Sequence, residues 1–74
     1  MTNQVRAVVT VSVNGEPREL PAPVALDALV ATLTTAPSGV AAAVNETVVP
    51  RGEWASTVLA DGDRVEVLTA VQGG

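Results

Sequence analysis

Two stretches of nearly unbroken alternation, one near each end of the chain, most constrain what it can fold into. From Val5 to Val13, Val5, Ala7, Val9, Val11 and Val13 fall on one side and Arg6, Val8, Thr10 and Ser12 on the other. From Arg64 to Val71, Val65, Val67, Thr69 and Val71 alternate with Glu66, Leu68 and Ala70. Successive side chains of a strand point to opposite faces, so period two marks each stretch as a strand with one buried side. Between them a single stripe, Leu26, Leu29, Val30 and Leu33, follows the i, i+3, i+4, i+7 spacing of an amphipathic helix. A chain with a Val-rich strand at each end and one helix between must bring those strands into one sheet and lay the helix across it.

The breakers divide the rest. Asn14-Gly15 suits a tight hairpin turn, because both central residues need positive φ. Its return arm, Glu16 to Leu20, contains Pro17, which has no N–H to donate and so belongs at a sheet edge. The helix starts at Ala25, where a capping hydroxyl is expected but absent, and is bounded by Pro37 and Gly39. Val40 to Val44 and Thr47 to Val49 form a second, smaller hairpin about Asn45-Glu46, closed off by Pro50. Asp61-Gly62-Asp63 is a turn into the final strand. The expected fold is α+β: a β-grasp, or ubiquitin-like, roll with a mixed β-sheet, the first and last strands parallel at its centre, and one main helix packed across one face. A small Greek-key barrel carrying one helix is the alternative.

Composition removes most kinds of function. Seventy-four residues with no internal repeat or linker are expected to make one domain over residues 1–74, too small for a large catalytic cleft. Cysteine and histidine are absent, which excludes a thiol nucleophile, a disulfide, and the usual general base and metal ligand. Four arginines and no lysine against eight carboxylates repel phosphate backbones and anionic lipids, so neither nucleic acid nor a membrane is expected as a partner. The lone aromatic, Trp54, offers no stacking platform. The N-terminus lacks the organisation of a secretory signal, and a soluble, cytoplasmic protein that is monomeric when free is expected.

The sequence ends VQGG. If the last strand stops near Ala70, residues 71–74 extend about 13 Å beyond the sheet. Glycines lacking Cβ let such a tail pass through a narrow channel and present the Gly74 carboxylate to a reagent at its far end. From the dipeptide alone, a frayed terminus is an equal reading. Other candidates have simple structural readings: Trp54 as a packing residue, Pro50 and Arg51 as shapers of a turn, and Asp61 and Asp63 as a solvated turn with too few oxygen ligands for a cation. The acids Glu53, Asp61, Asp63 and Glu66 are taken to flank the tail and to steer it toward basic or apolar partner surfaces.

VNGEPRELP, AAAVNETVVPRGEW and LADGDRVEVLTAVQGG together resemble the ThiS family of small sulfur carriers, over nearly everything from Val9 to Gly74. The most specific piece is VVPRGEW, with Pro50, Arg51 and Trp54 at the family's spacing. The chain departs from the pattern in some eight extra N-terminal residues, in Ala25, and in VQGG where an aliphatic residue often precedes the glycines. The resemblance implies a protein co-substrate and not an enzyme. An ATP-dependent, ubiquitin-activating-enzyme-like adenylyltransferase converts the Gly74 carboxylate to an acyl-adenylate. Sulfur from a cysteine desulfurase or related donor makes it a thiocarboxylate, and thiazole synthase consumes that in thiamin biosynthesis. Gly74 is then the reacting residue, with Val71, Gln72 and Gly73 fitting the partner's channel. No cofactor or metal is bound by the chain, and ATP is used through the partner. A carrier for molybdopterin, cysteine or metallophore synthesis, a ubiquitin-like modifier, and an interaction module with an inert tail remain the competing readings.

Overall fold

A computed structural model of the chain describes residues 7–35 and 39–69. Its elements are β1 (Val8–Val13), β2 (Glu16–Pro21), α1 (Leu26–Leu33), β3 (Val40–Val44), β4 (Thr47–Val49), a short 3₁₀ helix η1 (Arg51–Ser56) and β5 (Arg64–Thr69). The five strands form one sheet in the order β2-β1-β5-β3-β4. β1 and β5 are parallel, and every other pair is antiparallel. This is the expected β-grasp: the last strand is inserted between two hairpins, beside the first strand.

The alternation places the core. Val11 and Val13 of β1 and Val65 and Val67 of β5 point to one face, where they meet Leu26, Leu29 and Val30 of α1, Ala42, Trp54 and Leu59. Leu26, Leu29, Val11 and Val65 are the largest fully buried side chains. Burying such a side chain stabilises the fold by about 1.5–3 kcal/mol, and one helical stripe against one sheet face supplies most of the favourable term in a domain of this size.

α1 has no side-chain cap at Ala25. Backbone from the following loop takes over: the Leu26 N–H donates to Thr57 O at 2.8 Å, and the Leu59 N–H donates to Val24 O at 2.9 Å, with Ala25 and Val58 bridged. One of the orphan N–H groups at the helix start, that of Leu26, is thus satisfied by another segment, and the Ala28 N–H, which a capping hydroxyl could have accepted, donates to Ala25 O at 3.1 Å. Asp27 in the first turn adds favourable charge at the positive end of the helix dipole. Pro37 lies outside the described residues, and the helix ends four residues before it.

Both hairpin turns use left-handed backbone. Asn14 and Gly15 have φ of 51° and 88°, as the Asn-Gly pair predicts. Asn45 and Glu46 repeat the geometry at 51° and 71°, the second without glycine.

Candidate functional site

β5 is the element that leads to the tail, and its supports differ on its two sides. On the β3 side the antiparallel ladder runs its full length, from Val44 opposite Val65 to Val40 opposite Thr69. On the β1 side the parallel pairing covers only Ser12 with Arg64 and Val13 with Val65, because β1 then turns away at Asn14. Asn14 continues the ladder by itself. Its main-chain N–H donates to Val65 O at 2.9 Å. Its side-chain Oδ1 accepts the Val67 N–H at 2.9 Å, and its Nδ2 donates to Val67 O at 3.2 Å. One side-chain amide thus stands in for the missing strand residue. Asn45 does similar work at the start of β5: its N–H donates to Arg64 O at 2.7 Å, its Oδ1 accepts the Arg64 N–H at 2.9 Å, and its Nδ2 donates to Asp63 Oδ1 at 3.0 Å.

Val71, Gln72, Gly73 and Gly74 lie outside the described residues, as does Ala70. What the structure places is their root at Thr69, beside Val40 at the start of β3.

The face of the sheet away from α1 is uncovered. Leu68 (70% exposed) and Val48 (71%) stand on it together, whereas Val8 (44%) is at the far end of β1, four residues before the Ser12 that meets β5. Leu68 is opposite Ala41, and Val48 is opposite Ala43. The small alanines of β3 therefore form the floor of a depression of about 260 Å³ between the two larger side chains, with Glu46 and Glu66 at its rim. Water-exposed large apolar residues gathered on one face mark a contact surface more strongly than scattered ones do. Sequence reading passed over this patch, although the signal was present: Leu68 is apolar on the side of β5 that the alternation assigns to solvent.

The acids expected to steer the tail are divided by the structure. Glu66 is on the open face, within β5. Asp61 and Asp63 are instead at the opposite end of β5 from the tail, and their carboxylates are engaged with the protein. Asp61 Oδ1 accepts the Thr10 N–H at 2.7 Å, and Asp63 Oδ2 accepts the Ala60 N–H at 2.7 Å. They fix the loop that enters β5, as turn carboxylates do when they satisfy exposed main-chain donors. Six residue steps of extended strand, about 20 Å, separate Asp63 from Thr69. Glu53 is in η1, on the helix side of the sheet.

Trp54 is buried within η1 (5% exposed), and its Nε1 donates to Val49 O at 2.8 Å. Arg51, exposed, lies over its ring at 5.3 Å from the centroid. The pair closes one wall of a cleft of about 430 Å³ whose other wall is Asp27, Ala31 and Thr34 of the helix and its end. The packing role expected for Trp54 holds. Arg51 does more than shape a turn, since it opens a 3₁₀ helix too short to leave a periodic signature. Among the described residues no three His, Cys, Asp or Glu side chains gather at a spacing that could hold a metal ion, and no helix is long and apolar enough to cross a membrane.

The ThiS family model matches residues 11–74. The chain belongs to the ThiS family. The crystal structure of a thiamine biosynthesis protein (ThiS) from Geobacter metallireducens superposes with a TM-score of 0.71 at 29% identity, covering 89% of this chain and all of that one. The sulfur carrier protein ThiS of Escherichia coli is 38% identical over 37 residues, half of this chain and 56% of that protein. A thiazole synthase from Magnetococcus marinus is 38% identical over 64 residues, 86% of this chain. The chain spans only a fifth of the length of that relative. Set on this family fold, the patch around Leu68 and the root of the tail at Thr69 share one strand.

Proposed function

We propose that this ThiS-family chain is a sulfur carrier of thiamin biosynthesis whose Gly74 carboxylate is the group that reacts. The observation that carries this reading is the extent of the family match, which continues past β5 through Gly73 and Gly74. A carboxylate is a poor electrophile, so it must first acquire a leaving group. Its oxygen attacks the α-phosphorus of ATP on an adenylyltransferase, pyrophosphate departs, and a glycyl-adenylate remains. Hydrosulfide adds to the acyl carbon and expels AMP, leaving a thiocarboxylate directly. Where a cysteine desulfurase delivers the sulfur as a protein persulfide, the terminal sulfur adds in the same way, and a thiol then cleaves the acyl disulfide, forming a disulfide itself and releasing the thiocarboxylate. Thiazole synthase is the acceptor. The existence of a protein of that name containing a segment similar to this chain supports the pairing.

The chain's own part is presentation. Gly73 and Gly74 add no side chain to a channel wall, and Val71 and Gln72 set the fit of the terminus as it enters. The activating enzyme, which supplies ATP, metal and catalytic groups, docks against the open face around Leu68 and Val48, next to the strand that delivers the tail. The rim acids Glu46 and Glu66 favour a partner surface in which an apolar side chain is flanked by basic ones. The test is intact mass spectrometry of the full chain after incubation with ATP, sulfide and a ThiS-activating adenylyltransferase. A mass increase equal to the exchange of one oxygen for sulfur, lost when Gly74 is deleted, is the expected result. An unchanged mass with an enzyme that sulfurates another ThiS protein refutes it.

A further inference from the structure

The two hydrogen bonds between Asn14 and Val67 have a chemical consequence. Asparagine followed by glycine is the pairing most prone to loss of the side-chain amide, because nothing on the following residue shields its main-chain nitrogen. A Cβ built at Gly15 would meet no atom within 4 Å, so the turn is open to water. The amide itself is not free to react: its oxygen and its nitrogen are both held by Val67, which fixes Cγ toward β5.

We propose that Asn14 is a deamidation site gated by β5, protected while Val67 holds its amide and exposed to attack when the strand separates. In the open state the Gly15 nitrogen adds to Asn14 Cγ, the Cγ–Nδ2 bond breaks, and ammonia leaves carrying the proton from Gly15 N. The resulting succinimide takes up one water, which returns a hydrogen to the Gly15 nitrogen and a hydroxyl to the carbonyl carbon it opens. The product is aspartate or isoaspartate, and water is the only co-reactant.

The change is directional. A carboxylate at position 14 has no hydrogen to donate, so the bond to Val67 O is lost and two acceptor oxygens face each other. Isoaspartate also inserts a methylene into the main chain of the turn, which displaces the Asn14 N–H from Val65 O. Either product weakens the β1 side of β5 at the point where the parallel ladder has already ended, so opening leads to damage and damage favours opening. Asn45 is the internal comparison. It has the same left-handed backbone and is also held at both amide atoms, but Glu46 follows it and shields the attacking nitrogen.

The full chain is incubated at mildly alkaline pH in native buffer and in denaturing urea, and the peptides carrying Asn14 and Asn45 are followed by mass. Conversion of Asn14 at least about tenfold faster in urea, and faster than that of Asn45 there, is expected, because reaction through local opening is slowed by the fraction of time the site is closed. Equal rates in urea and native buffer show that the folded turn itself reacts, and no conversion in urea shows that the pair is inert; either overturns the proposal. Chains converted in native buffer carry one more negative charge and separate by anion exchange. Their folding equilibrium constant is expected to fall about fivefold or more, the scale of one lost hydrogen bond, and an unchanged urea midpoint overturns the claim that the amide holds β5.

Discussion

The indole N–H of Trp54 donates to the carbonyl of Val49 at 2.8 Å, joining the 3₁₀ helix to the end of the edge strand β4. Trp54→Phe keeps an aromatic ring in the core but leaves that carbonyl without its donor and a void where the second ring stood. A loss of about 1–3 kcal/mol is expected in urea unfolding, and about 3–5 kcal/mol for Trp54→Ala. Arg51→Ala, which removes only the cation from the exposed side of the ring, should cost no more than about 1 kcal/mol.

Glu46 occupies the left-handed region with φ of 71°, in a turn where glycine is ordinarily placed. Relief of that backbone strain exceeds the extra chain entropy glycine loses on folding, so Glu46→Gly is expected to stabilise the domain by about 0.5–1 kcal/mol. The ion pair it removes, Arg64 to Glu46 at 3.6 Å between exposed side chains, adds little. A urea midpoint below that of the parent shows that the turn is not strained.

Asp61 and Asp63 hold the loop before β5, so their substitution should register in stability before it registers in binding. Asp61→Ala frees the Thr10 N–H and is expected to cost about 1 kcal/mol, whereas Asp61→Asn, which retains an acceptor oxygen, should be nearly neutral. The salt dependence of association with the adenylyltransferase should be unaltered in Asp61→Asn. A flattened salt dependence would return Asp61 to the role of a steering charge.

Leu68 and Val48 are largely exposed, so their replacement leaves the core intact. Leu68→Glu is expected to leave the unfolding midpoint within about 0.5 kcal/mol of the parent and to weaken binding to the activating enzyme by about 2 kcal/mol or more, as loss of a central apolar contact does. Titration calorimetry beside urea unfolding separates the two effects. Full affinity in Leu68→Glu would place the docking surface elsewhere.

Gly73→Val adds a branched side chain where the proposed channel admits only backbone, and one alanine after Gly74 moves the carboxylate out of register. Both variants should unfold with the parent and form neither adenylate nor thiocarboxylate, read by pyrophosphate release and intact mass. Normal turnover by either one removes the channel from the mechanism.

The elements whose residues repeat with a period were legible before the structure. Val9, Val11 and Val13, like Val65 and Val67, turn to the core as their alternation requires, and Leu26, Leu29 and Val30 form the buried helix face. The two hairpins were legible for different reasons: Asn14-Gly15 marks a left-handed turn, and Asn45-Glu46 was visible only as a break between two short apolar runs, its left-handed backbone coming from the structure. Features that depend on distant segments meeting were not legible. Asn14 is 53 residues from Val67, and nothing around it announces that its amide completes another strand's ladder. Asp61 and Asp63 read as solvated acids, because their acceptors are engaged by backbone that only the fold brings near. Arg51 to Ser56 is a single short 3₁₀ segment with too few residues to establish a repeat. For the tail no local pattern separates a presented terminus from a frayed one, and its presentation is the proposal made above.

The insertion of β5 between two hairpins also fixes an order of events during synthesis. β1 with β2, and β3 with β4, are complete and can pair as they leave the ribosome, but each hairpin then has a bare edge that only β5 can cover. β5 emerges after both. The nascent chain therefore carries two unjoined half-sheets, whose valines have no common core, until the strand between them arrives. Joining them through contacts this distant in sequence is the slow step expected of such a topology. The strand that completes the sheet is thereby also the last of the described elements to be synthesised.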